Sequence, residues 1–106
     1  MVVEVKETDI KGGIMSLYES ESVELKEVYT PEVKKEVVAF ANTNGGTIYI
    51  GVQDNGGIIG LDNPDFVMQQ IANAVRDSIR PDVSMFTNIE LVKKENKNVI
   101  KITVQQ

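Results

Sequence analysis

The run Thr47-Ile48-Tyr49-Ile50-Gly51-Val52 constrains this chain more than any other segment. It is rich in β-branched residues and apolar on both faces, which is the pattern of a strand covered from two sides and central in its sheet. Turn-formers bracket it. Asn42-Thr43-Asn44-Gly45-Gly46 precede it, and Asp54-Asn55-Gly56-Gly57 follow it as a hairpin turn, Asn and Gly supplying the positive φ angles such turns need. Ile58-Ile59-Gly60 then reads as a short return strand. A chain of 106 residues built around such a strand holds one core of two packed layers and has no room for a second.

The segments on either side supply the other elements. Val23 and Leu25 alternate with Ser22, Glu24 and Lys26, the period of a half-buried strand. Thr30-Pro31-Glu32 is a helix start in which Thr30 caps, Pro31 takes the first helical position and Glu32 complements the dipole. Val33, Val37, Phe40 and Ala41 follow on one face of that helix. Asn63-Pro64-Asp65 repeats the signal, and Val67, Ile71, Val75 and Ile79 recur every four residues until Arg80-Pro81 closes the second helix. Ile89 and Leu91, a turn at Glu95-Asn96-Lys97-Asn98, and Ile100, Ile102 and Val104 form a terminal hairpin. The fold class is therefore α+β, with two helices packed on a four- to five-stranded mixed sheet that ends in a C-terminal β-hairpin. Residues 1–18 read as an N-terminal extension or edge strand broken by Gly12-Gly13, and Met15 is a candidate natural start.

Composition removes much chemistry. With no Cys there are no disulfides, thiolate zinc sites or cysteine nucleophiles, and with no His there is no imidazole base or triad. Carboxylate, lysine, hydroxyl and backbone chemistry survive. The longest apolar run, Val37 to Ala41, is far below the roughly 20 residues of a membrane helix, so a soluble, cytoplasmic protein with no membrane partner is expected.

Charge is unevenly placed. Residues 1–66 hold five bases and twelve acids, residues 67–106 six bases and four acids, and the whole carries −5. Lys93, Lys94, Lys97 and Lys101 crowd the terminal hairpin, and Arg76 and Arg80 sit one turn apart at the end of the second helix. A protruding basic ribbon follows phosphates, and these six are the candidate nucleic-acid-binding residues. Lysines on a hairpin equally guard a sheet edge, and the acidic balance argues for weak binding or for help from dimerisation or a second domain. The glycines read as structural. No phosphate-binding glycine loop occurs, and Asn42 and Asn44 suit a helix end as well as a base or phosphate contact. Tyr18 and Tyr29 flank the first strand, where either stacks on a base or anchors a strand end.

Glu19-Ser20-Glu21-Ser22-Val23-Glu24-Leu25-Lys26 resembles the E-S-x-x-V-E-F-K opening of the Schlafen AlbA-like family of DNA-binding domains, with Leu25 where that pattern has Phe. The run from Ala39 to Asp54 resembles the family's A-F-A-N-T-x-G-G core and the G-V-x-D that ends it, and Gly56 to Gly60 resembles the glycine pair that follows. The match spans 19–106. It implies an Alba-like fold, and it implies that residues 19–106 are one domain of a longer protein whose C-terminal remainder is missing here.

For function, the resemblance implies a DNA-binding module of a bacterial or archaeal transcriptional regulator, DNA being favoured over RNA, without a cofactor and with a homodimer as a plausible state. A second expectation is a metal-dependent endonuclease, because a doubled form of the domain in vertebrate Schlafen proteins cleaves RNA with two glutamates and an aspartate. By motif position that triad maps to Glu19, Glu24 and Asp54, which would hold Mg²⁺ or Mn²⁺, with Lys26 beside Glu24 as an auxiliary catalytic residue. Surface glutamates and a turn aspartate are ordinary alternatives for these positions. A third expectation is a protein-interaction or dimerisation domain.

Overall fold

The computed structural model describes residues 20–78 and 87–105, with backbone alone at 77 and 78. The expected N-terminal strand, Met15, Tyr18, Glu19 and the helix-closing Ile79, Arg80 and Pro81 lie outside them. The elements run β1 (Val23–Lys26), α1 (Glu32–Ala41), β2 (Gly46–Ile50), α2 (Pro64–Ser78), β3 (Thr87–Lys94) and β4 (Lys97–Val104). The described sheet has four strands in the order β1-β2-β4-β3. β1 and β2 are parallel, and the other pairs are antiparallel. Strand β2 is interior, as its two-sided apolar sequence requires.

The register sorts the side chains into two layers. Ile48, Ile50, Ile100, Ile102, Val104 and Ile89 share one core with Val33, Val37 and Phe40 of α1 and Val67, Met68, Ile71 and Val75 of α2. On the opposite face Leu25, Tyr49, Val52 and Val99 form a second buried cluster with Val23 and Ile58 against it. Alternation along β1 therefore puts Glu24 and Lys26, which pair with Ile48 and Ile50, on the helix side.

Three local expectations are corrected. Pro31, at φ −59° and ψ −19°, is itself the residue that precedes α1, and no side chain caps the helix. Thr30 acts through its carbonyl, which accepts from the Val33 N–H at 3.0 Å, because helical backbone at Pro31 brings that carbonyl onto the first turn. The return strand at Ile58–Gly60 shrinks to a single bridge between Val52 and Ile58. Gly51, at φ +106°, ends β2 and turns its amide and that of Val52 onto the Lys26 carbonyl at 2.7 and 3.0 Å. The terminal turn is only two residues long, since Lys97 and Asn98 already belong to β4. Glu95 and Asn96 carry φ of 51° and 65°, the type I′ geometry that suits the twist of paired strands.

The Asn42–Gly46 segment has a steric logic. The Gly45 N–H donates to the Phe40 carbonyl at 2.9 Å, closing the helix through a left-handed residue. A Cβ at Gly46 would lie 2.5 Å from Cε1 of Phe40. The Phe40 ring fills the space that only glycine leaves.

Candidate nucleic-acid interface

The acidic motif builds a clamp between β1 and α1. The Lys26 ammonium lies 2.9 Å from Oε2 of Glu36 and 3.8 Å from Oε2 of Glu24. Its hydrogen bond to Glu36 raises the Lys26 pKa, a rise that burial opposes and the negative charge of Glu36, Glu24 and Glu32 reinforces. The other Glu36 oxygen, Oε1, is buried and accepts no hydrogen bond. Glu24 and Lys26 thus share a face as their spacing predicts, and Glu36 joins them from the helix. Glu36 sits one residue before the buried Val37, and nothing in a single strand's pattern points to it.

Asp54 is exposed in the turn after β2, where the Gln53 N–H donates to the Gly57 carbonyl at 2.8 Å and the Gly57 N–H to Oδ1 of Asn55 at 2.9 Å. Glu19 lies outside the described residues. Among the described residues no three acidic side chains are placed to hold a metal ion, and Glu24 already faces a lysine. The described carboxylates do not fit a bound divalent cation.

The lysines of the hairpin separate into two kinds. Lys97 is exposed and Lys93 and Lys101 are half-exposed. Lys94 is 1% exposed, with its ammonium 5.6 Å from the centre of the Tyr49 ring. It stands on the face that carries the second cluster, so it belongs to the packing and presents no charge to solvent. The hairpin does not protrude either. Lys97 Nζ donates to the Ile58 carbonyl at 3.1 Å, and the Leu61 N–H donates to the Asn98 carbonyl at 2.9 Å. The loop after β2 therefore braces the hairpin tip, because β4 is an inner strand paired with β2.

On α2 the exposed Arg76 donates from Nη2 to Oδ1 of Asn73 at 2.7 Å, and Gln69 Nε2 donates to the same oxygen at 3.2 Å. Arg80, its expected companion, lies outside the described residues. Tyr29 packs on the main core, and its burial raises the phenol pKa. At the start of β1 and β2, Glu21, Ser22, Thr43, Asn44 and Gly45 line an open cleft of about 310 Å³. Thr43 Oγ1 donates to the Ala39 carbonyl at 2.9 Å, which fixes one wall.

A family model described as Schlafen, AlbA_2 matches residues 19–106. The chain belongs to that family. The AlbA_2 match explains why the Asn-Thr-Asn-Gly-Gly turn and the Glu-x-Lys strand occur in one short chain. Among solved structures, this AlbA_2 domain is similar to the N-terminal domain of an ATP-dependent DNA helicase RecG-related protein from Nitrosomonas europaea. The two share 23% identity and a TM-score of 0.64, the likeness covering 85% of this chain and 66% of that one. At that identity the likeness is one of fold, two helices on a four-stranded mixed sheet. No curated protein matches the chain. Among the described residues no helix of the AlbA_2 domain is long and apolar enough to cross a membrane.

Proposed function

We propose that this AlbA_2 domain is a nucleic-acid-binding module of a larger regulatory protein, with duplex DNA as its main ligand. The observation that carries this reading is the rigid presentation of Lys93, Lys97 and Lys101. They stand on a hairpin whose alternate positions are locked into the two cores and whose tip is tied to the loop at Ile58 and Leu61. A braced cationic surface loses less side-chain and backbone entropy on meeting phosphate than a mobile ribbon does. Family membership, and a fold shared with a domain of a DNA helicase-related protein, support it.

Fluorescence anisotropy with labelled duplex DNA and hairpin RNA, at several salt concentrations, tests the reading. Saturable binding that weakens with salt, and weakens further in Lys97→Glu, is the expected result. Flat traces at tens of micromolar protein in low salt would remove autonomous binding and favour an interaction module. The same titration with Mg²⁺ or Mn²⁺ addresses the nuclease reading. That reading draws on Glu24 and Lys26 sharing one face and requires cleavage that Glu24→Gln abolishes while binding persists.

A further inference from the structure

Helix α2 carries an exposed face whose composition the hairpin reading does not use. Val67, Met68, Ile71 and Val75 are buried, so Phe66, Gln69, Asn73 and Arg76 fall on the opposite side of the helix. Phe66 is 60% exposed, the most open of the large apolar side chains among the described residues. A solvated Phe on the polar face of an amphipathic helix gains nothing for folding. It is followed along one stripe by two amides and a guanidinium, and Asn73 Oδ1 accepts from both neighbours, so the three polar groups are held as a ladder. From Phe66 to Arg76 the sequence contains no acid, in a chain whose net charge is −5. The stripe extends about 15 Å at the rise of an α-helix.

Resting on the nucleic-acid reading above, we infer that this face of α2 is a track for single-stranded nucleic acid, with one base stacked on the Phe66 ring and the backbone drawn along the Gln69–Asn73–Arg76 ladder. An aromatic ring offers its face to any base, and amides and a guanidinium serve base edges and phosphates. A duplex hides its base faces and leaves Phe66 without a partner, so the occupant this surface fits is an unpaired strand. The cationic hairpin supplies a separate contact that is indifferent to strandedness.

The chain has no Trp, so Phe66→Trp installs a single indole reporter at the proposed stacking position. Titrating this variant with a short labelled single-stranded oligodeoxynucleotide reads indole emission and oligonucleotide anisotropy together. Saturable quenching that follows the anisotropy is expected, together with a loss of single-strand affinity of about tenfold in Phe66→Leu that Phe66→Tyr restores. Saturable anisotropy with unchanged indole emission, and equal affinity for Phe66→Leu, overturns the track and leaves the hairpin reading standing. Absence of any binding, with the variants folded by circular dichroism, overturns both. Equal losses for duplex and single strand in Phe66→Leu also overturn it, because stacking on an unpaired base would not act on a duplex.

Discussion

Single residues decide more here than their surface chemistry implies. Gly46 is required by Phe40 and not by its own backbone. Gly46→Ala should destabilise the domain by about 1–3 kcal/mol, read as a lower midpoint in urea, since the added methyl meets a ring buried in the main core. Lys94 has the same charge as its hairpin neighbours but a different task. Lys94→Ala should lower stability by roughly 1–3 kcal/mol through lost packing of its stem and leave the salt dependence of nucleic-acid binding unchanged. Lys97→Ala should do the reverse, with little change in stability and a log–log salt slope shallower by about 0.9 for duplex DNA.

Lys26 makes a pH prediction. Its folded-state pKa is raised above the ordinary 10.5, so its stabilising contribution is complete below that value and is lost as pH rises through the folded-state pKa. The stability advantage of the native chain over Glu36→Gln should accordingly be present at neutral pH, under about 1 kcal/mol for this partly exposed pair, and vanish in strongly alkaline solution.

At the scale of elements, the pattern of apolar residues located both helices and the terminal hairpin, and the ends are where tertiary context intervened. Thr47–Val52 reads as one strand, yet Gly51 takes a positive φ and ends it at Ile50, where the chain must turn both amides onto β1. The terminal turn reads as four residues because Glu95-Asn96-Lys97-Asn98 is uniformly polar. Pairing with β3 claims Lys97 and Asn98 for β4 and leaves two residues to turn. The left-handed backbone at Glu95 and Asn96 costs energy that Asn and Gly would relieve. The double substitution Glu95→Asn with Asn96→Gly should therefore raise stability by about 0.5–1 kcal/mol in chemical denaturation, without altering the binding of either strand form.

For the whole molecule, charge placement matters more than net charge. The −5 balance coexists with a basic C-terminal region, and the described cations that reach solvent there are Lys93, Lys97, Lys101 and Arg76. If all four meet duplex phosphate, the salt slope should be no steeper than about −4, where six contacts would give roughly −5. A measured slope steeper than that would place further cations in the interface. The sequence alone determined the α+β class, the central position of β2, the two helices and the family, because period, turn chemistry and motif spacing are local properties that survive in one dimension. It also placed Glu24 and Lys26 on one face, since strand alternation requires no knowledge of neighbours. Only the tertiary structure brought Glu36 to Lys26, withdrew Lys94 from solvent, braced the hairpin against Ile58 and left Phe66 exposed on α2. Each of these depends on which segments meet across the sheet, and burial and ion pairing are set by that meeting rather than by the residues themselves.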